Sequence, residues 1–206
     1  MLPEILSMVR DLYPAMTKNL ILASESPRRR KLLADLGVAF QVKPAQVEEL
    51  KEDCEPETLP EKNALLKAAY VAEQFPDSFV LGADTGVFDG RNMLGKPASA
   101  ADALKMLLSL SGRSHQVISG VALICRAENI SLSWSVSSCV TFAPFSAAAA
   151  AAYIEKVNVM DKAGAYAIQE HSGMLGARWE GELENIIGLP LVKLKEMLKK
   201  YSLKTE

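Results

Sequence analysis

The chain has 206 residues, 49% of them hydrophobic, and a formal net charge of -2. That suits a globular domain with a substantial core and excludes broad electrostatic binding to nucleic acid. Three widely spaced cysteines (Cys54, Cys125, Cys139) without a C-x-x-C pair, and only two histidines, His115 and His171, exclude a structural zinc centre and a histidine-rich metal site and point to a reducing compartment.

Leu2, Ile5, Leu6, Val9 and Leu12 predict a short amphipathic helix in an N-terminal extension, residues 1–18. That segment lacks the charged-then-apolar order of a signal peptide, and no stretch of the chain reaches membrane-spanning length. The expected setting is the cytoplasm, with no membrane partner.

Residues 19–206 read as one domain. The apolar run Leu20-Ile21-Leu22-Ala23 predicts a buried strand that passes through Ser24-Glu25-Ser26 into a helix over 27–36, with Ser26 as N-cap, Pro27 in the first position and Gly37 just beyond the end. Unpaired N–H groups and the positive end of the helix dipole make this junction an anion site. At 100° per residue Arg29 lies along the apolar stripe of Leu32, Leu33 and Leu36, Arg28 lies on its flank, and Arg30 and Lys31 point to solvent. Cations at a helix N-terminus oppose the dipole by about 0.3–1 kcal/mol each unless an anion compensates. Arg28 and Arg29 are therefore the site candidates.

A second strand is expected over 39–43, an alanine- and leucine-rich helix over 60–75, and a short buried strand over 79–83 that ends on Asp84. Asp89-Gly90 marks a hairpin, and Ser99-Ala100-Ala101-Asp102 is a capping box opening a helix to 110. Residues 115–126 and 130–142 read as an antiparallel pair, Ser146 caps a helix to 156 that contains six successive alanines, and a last helix starts near Pro190. Strands and helices interspersed around an antiparallel pair predict an α/β fold with a mixed twisted sheet flanked by helices.

Asp84, placed by a buried strand after Gly82, is a carboxylate where α/β sheets put ligand-binding groups. Gly90-Arg91-Asn92-Met93-Leu94-Gly95-Lys96-Pro97 imitates a phosphate loop, but Pro97 offers neither hydroxyl nor N–H, so Lys96 reads as a point charge on an extended loop. Gln169 carries a donor and an acceptor able to read a base edge. No serine-nucleophile motif and no dinucleotide fingerprint is present.

Ala23-Ser24-Glu25-Ser26-Pro27-Arg28-Arg29, Glu48-Glu49, Lys67-Ala68, Gly82-Ala83-Asp84-Thr85, Gly95-Lys96-Pro97, Leu110-Ser111-Gly112-Arg113, Asp161-Lys162-Ala163-Gly164-Ala165-Tyr166 and Gly188-Leu189-Pro190 occur in that order between residues 19 and 201. Each run is common alone; their ordered recurrence resembles the Maf family of nucleoside triphosphate pyrophosphatases. The resemblance implies an inosine-triphosphatase-like fold with two lobes around a cleft. It implies hydrolysis of a nucleoside triphosphate to the monophosphate and pyrophosphate with a divalent metal cation, Mg2+ or Mn2+, and a homodimer. Carried over by position, Ser24, Arg28, Arg29, Lys67 and Lys96 surround the triphosphate, Glu49 and Asp84 hold metal, and Asp84 is the proton acceptor. Arg28, Thr85 and Gln169 match the positions that separate members acting on dTTP and UTP from those acting on 7-methyl-GTP, and favour the former. The family commonly has glycine after the position of Gln169, where this chain has Glu170 and His171. The alternatives are the same reaction on a modified nucleotide such as 7-methyl-GTP, and a non-catalytic nucleotide-binding regulator of cell division.

Overall fold

A computed structural model describes residues 19–51 and 55–203. The helix expected in residues 1–18, and Cys54, lie outside the described residues.

The fully buried strand β1 (Leu20–Leu22) feeds α1 (Pro27–Ala34), where the Ser26 hydroxyl accepts from the Arg29 N–H at 3.4 Å. The helix stops before the expected residue 36. Leu36 N–H donates to the Leu33 carbonyl and Gly37 N–H to that of Ala34, so the last turn tightens to three-residue spacing. Strand β2 is only Gln41–Val42, shorter than expected, because its partner among the described residues, β1, offers two residues of register, Ile21 and Leu22. Helix α2 (Leu59–Gln74) turns Asn63, Ala64, Lys67, Ala68 and Val71 inward, the i, i+3, i+4 pattern of a sheet-facing stripe.

Strand β3 (Phe79–Asp89) and β4 (Asn92–Leu94) form the hairpin expected at Asp89-Gly90. The capping box opens α3 (Ala100–Leu110), with the Ser99 hydroxyl accepting from Asp102 N–H at 3.1 Å. The long pair β5 (Ser114–Cys125) and β6 (Ile130–Thr141) is antiparallel, as expected, and Ser146 caps α4 (Ala147–Lys156). No local pattern announces β7 (Arg178–Glu180) or the short α5 (Leu183–Ile187), which precede α6 (Val192–Lys200). Among the described residues no helix is long and apolar enough to cross a membrane.

The sheet runs β2-β1-β3-β5-β6-β7, with β4 also paired to β3. β1 is parallel to β2 and β3, and every other pairing is antiparallel. This is the mixed sheet that the sequence predicts.

A further expectation is corrected. β3 does not end on Asp84 but continues to Asp89, because β5 pairs with it from Val80 through Phe88. The opposite edge of β3 is occupied by β1 only as far as Leu81 and by β4 only from Val87. Asp84 therefore sits in the middle of a strand whose free edge opens between two short partners.

Apolar side chains form three clusters. One lies under α2 with Ile21, Val80 and Ala122. On the other face, one joins Leu22, Leu81 and Val121 to α1 and α6, and another joins Val87, Val117 and Val140 to α3 and α4. Between these last two, on the same sheet face, lie Thr85 and its cross-strand partner Ser119. That polar pair separates the two halves of the core.

Candidate active site

The gap along β3 opens into a cleft of about 860 Å³. The nine residues singled out from the sequence come from six separate stretches of chain, and all line this one cleft.

Its floor is set by backbone contact. A β-carbon on Gly82 would collide with the Ala64 carbonyl, and one on Gly120 with the backbone of Pro60 and Glu61. Glycine at both positions lets α2 lie directly on β3 and β5 beside Asp84, whose cross-strand partner is Gly120. Lys67 Nζ then reaches Asp84 Oδ1 at 2.7 Å and Glu49 Oε1 at 2.6 Å. The Lys67 side chain is 11% exposed and Asp84 16%, while Glu49 at 52% forms the open side.

Asn63, one helical turn before Lys67, is a site residue that the sequence patterns did not single out. Its Nδ2 donates to Asp84 Oδ2 at 3.2 Å and to the Leu50 carbonyl at 3.0 Å, and its Oδ1 accepts from the Leu50 N–H at 2.8 Å. One amide thus fixes both the Asp84 carboxylate and the loop that carries Glu49. The signal was present as an asparagine in the apolar stripe of α2, four residues from a lysine, where an unpaired polar group would be costly.

Arg29 forms the second part of the deep wall. Its Nε donates to the Gly188 carbonyl at 2.9 Å, Nη1 to Ser24 Oγ at 3.1 Å and Nη2 to Thr85 Oγ1 at 3.1 Å. Ser119 Oγ lies 2.8 Å from Thr85 Oγ1 and donates to the Asn185 carbonyl at 2.9 Å. With the Ser119 proton on Asn185, the one Thr85 proton has two acceptors, Ser119 Oγ at 2.8 Å and the Gly188 carbonyl at 3.3 Å, and the Thr85 oxygen accepts from Arg29. The result is a directed chain from Arg29 through Thr85 and Ser119 to the backbone of α5. Desolvation pulls the Arg29 guanidinium below its usual pKa, with Asp84 opposing that shift and Arg28 adding to it. A guanidinium so placed favours an anionic ligand.

Arg28 stands apart, 31% exposed, with Nη1 donating to Asp161 Oδ2 at 3.2 Å. Asp161 Oδ1 accepts from Lys162 Nζ at 2.9 Å. Desolvation raises the Asp161 carboxyl, but the Lys162 hydrogen bond and charge, together with Arg28, bring it below its ordinary value. Lys162 is buried, lines the cleft and adds a cation that the sequence patterns did not single out. Gln169 is exposed at the far end of this rim. Lys96 is also exposed and makes no hydrogen bond or ion pair among the described residues; its loop is anchored by Gly164 N–H donating to the Gly95 carbonyl at 3.1 Å. Arg30 is exposed and Lys31 pairs with Asp35, in line with their expected solvent roles.

Among the described residues no group of three or more His, Cys, Asp and Glu side chains gathers to hold a metal. The pair that does converge, Glu49 and Asp84, has the donor chemistry Mg2+ accepts beside a nucleotide, one or two carboxylates with phosphate and water oxygens completing the shell.

A buried lysine between two carboxylates, beside an arginine held by neutral acceptors, lines a cleft at a break in a mixed α/β sheet, the kind of place where enzymes bind ligands. The Maf-like protein family model matches residues 19–201. The chain belongs to that family. A dTTP/UTP pyrophosphatase from Desulfotalea psychrophila is 41% identical over 189 residues, covering 90% of this chain and 95% of the relative. Proteins of the same name from Symbiobacterium thermophilum and Akkermansia muciniphila are 43% and 44% identical, covering 89% and 83% of this chain and 94% and 90% of theirs. Among solved structures, a nucleoside-triphosphatase / dITP/XTP pyrophosphatase from Mycobacterium abscessus aligns over 62% of this chain and 75% of its own at 18% identity, with a TM-score of 0.42. At those values it adds nothing to what the sheet order shows.

Proposed function

We propose that this protein hydrolyses dTTP and UTP to the monophosphate and pyrophosphate. The observation that carries the reading is the Lys67 ammonium held between Asp84 and Glu49 at 2.7 and 2.6 Å, on the floor of a cleft whose wall is Arg29. The names of the relatives support the substrate class.

In this reading Arg29, with Ser24 beside it, binds the triphosphate from the deep wall, and Lys67 and Lys96 add point charges as negative charge builds on the leaving pyrophosphate. Asp84 orients the attacking water and takes its proton. Lys67 and Asn63 each donate to one Asp84 oxygen, so the carboxylate stays oriented while both oxygens retain acceptor capacity. Glu49 and Asp84 are the residues that would hold Mg2+ or Mn2+, and such an ion, when bound, supplies Lewis-acid neutralisation of the phosphate oxygens. Thr85 acts on nucleotide choice through Arg29, because its hydroxyl is committed to Arg29, Ser119 and the Gly188 carbonyl; Arg28 and Gln169 face the nucleoside end. The same reading makes the protein a cytoplasmic homodimer that acts on free nucleotides, without nucleic acid or membrane.

A panel of dTTP, UTP, CTP and 7-methyl-GTP, assayed for monophosphate and pyrophosphate with and without chelator, tests it. Preferential release from dTTP and UTP that chelator abolishes and Mg2+ or Mn2+ restores is the expected result. Clear preference for 7-methyl-GTP overturns the substrate assignment, and tight binding without pyrophosphate release turns the protein into a regulator.

A further inference from the structure

Gln169 is held more firmly than an exposed side chain needs to be. It sits in a turn closed by Glu170 N–H donating to the Ala167 carbonyl at 3.1 Å. The buried Tyr153 hydroxyl of α4 grips Ala167 on both sides, accepting from its N–H at 3.0 Å and donating to its carbonyl at 3.2 Å. The backbone on which Gln169 stands is thus fixed from the alanine-rich helix.

The side chain has a partner as well. Gln169 Nε2 donates to Glu170 Oε1 at 3.2 Å. An ionised carboxylate only accepts, so Glu170 decides which way round the amide lies, with its nitrogen toward Glu170 and its oxygen turned away. Glu170 is itself 3.9 Å from the buried Lys162 ammonium, which bonds Asp161, which pairs with Arg28. Gln169 and Arg28 are therefore the two ends of one chain of charges along the rim.

We propose that Glu170 is a specificity-positioning residue that locks the Gln169 amide in the orientation suited to uracil and thymine and wrong for cytosine; this rests on the pyrimidine nucleotide reading above. Uracil and thymine present N3–H as donor beside the O4 acceptor, whereas cytosine presents N3 as acceptor beside its N4 amino donor. A free carboxamide serves either edge by turning over. One whose nitrogen is claimed by Glu170 keeps a single donor and acceptor order: in the seating proposed, with base N3 opposite the amide oxygen, it accepts from N3–H of uracil or thymine and meets the bare N3 of cytosine acceptor to acceptor, the kind of mismatch that discriminates strongly between substrates. Glu170 touches Gln169 rather than the base, so its effect runs through that amide.

The test compares kcat/KM for UTP and CTP in the wild type, E170Q, E170A, Q169A and the double variant Q169A/E170Q. E170Q is nearly isosteric, and its amide can donate as well as accept, so it releases the lock. The UTP:CTP ratio is expected to fall roughly tenfold in E170Q and E170A, through a gain on CTP, with turnover of UTP kept within a few-fold. Q169A loses the preference too, and adding E170Q to it changes the ratio no further, the coupling expected of a residue acting through its neighbour. Loss of UTP and CTP activity together marks a structural role and overturns the proposal. So does an unchanged ratio in both Glu170 variants, or an equal change of ratio in the Q169A background. A wild type that releases no pyrophosphate from dTTP or UTP overturns the pyrimidine reading and this proposal with it, whereas a UTP-selective wild type with an unmoved E170Q overturns the proposal alone.

Discussion

Arg29 and Arg28 are neighbours in sequence and end on different kinds of wall. Arg29 faces the sheet, where neutral acceptors fix every part of its guanidinium: the Gly188 carbonyl, Ser24 and Thr85. Arg28, about 100° further round the helix, meets solvent and is held by one carboxylate, Asp161. The deep wall thus fixes the cation with directed dipoles, and among the described residues no carboxylate hydrogen-bonds it. The rim is a string of alternating charges, Arg28, Asp161, Lys162 and Glu170, that largely cancel one another. The proposed function divides labour accordingly, chemistry to the deep wall and choice of nucleoside to the rim.

Four experiments break or sharpen that contrast. The largest effect is expected at the floor of the deep wall. Asp84→Asn should lower kcat by roughly 10²–10⁴-fold while nucleotide binding remains measurable by calorimetry, and near-normal turnover removes Asp84 from the chemistry.

Next is acid stability beneath the rim. Buried His115 bonds Tyr166 through Nε2 at 2.8 Å, and desolvation lowers its pKa to about 4 from 6.5. Between those values the unfolded chain takes up a proton that the folded protein does not, so stability falls as pH drops from 6.5 to 4. The imidazole's contribution to that fall is about 3 kcal/mol, from 1.36 kcal/mol per pKa unit. Urea titrations across this range should show His115→Gln with a correspondingly flatter acid limb; parallel limbs contradict the assignment.

A smaller effect tests the donor chain itself. Ser119→Ala frees the Thr85 hydroxyl from its partner and lets the Arg29 fork shift, which should cost roughly tenfold in kcat through misorientation. The effect should be lost when Thr85 is already valine. Additive losses in the double variant argue against a chain.

The smallest effect belongs to the rim. Asp161→Asn weakens the half-exposed pair with Arg28, of the kind worth about 0–1 kcal/mol, and leaves an amide oxygen to accept from buried Lys162, so kcat/KM for UTP should move only a few-fold and the Arg28 share of the change should shrink as salt is added. A loss as deep as that of Asp84→Asn abolishes the distinction between the two walls.

Much of the site was legible from the chain because its signals are local. Ser26, Pro27 and the angular position of Arg29 follow from helix geometry, and the structure keeps Arg29 inward and Arg30 outward. The runs that resemble the Maf family recover the rest of the cleft in chain order. Less legible was anything set by a partner distant in sequence. Strand β3 outran its expected end because β5 supplies ladder bonds that no residue near Asp84 announces. Strand β7 pairs through only three residues, Arg178 to Glu180, with the end of β6. Asn63, Ser119 and Lys162 looked like ordinary polar residues until folding gave each a specific partner.

By itself the sequence determined which residues bear charge, where α1 and α3 are capped and which stripes face the core, because these depend on side chains a few positions apart. The tertiary structure decided that β1 and β4 leave an opening along one edge of β3, that α2 rests on Gly82 and Gly120, and that Arg29 and Arg28 part to different walls. Those outcomes depend on which strands pair and how closely backbones approach, and such contacts form between residues tens of positions apart only once the chain has folded.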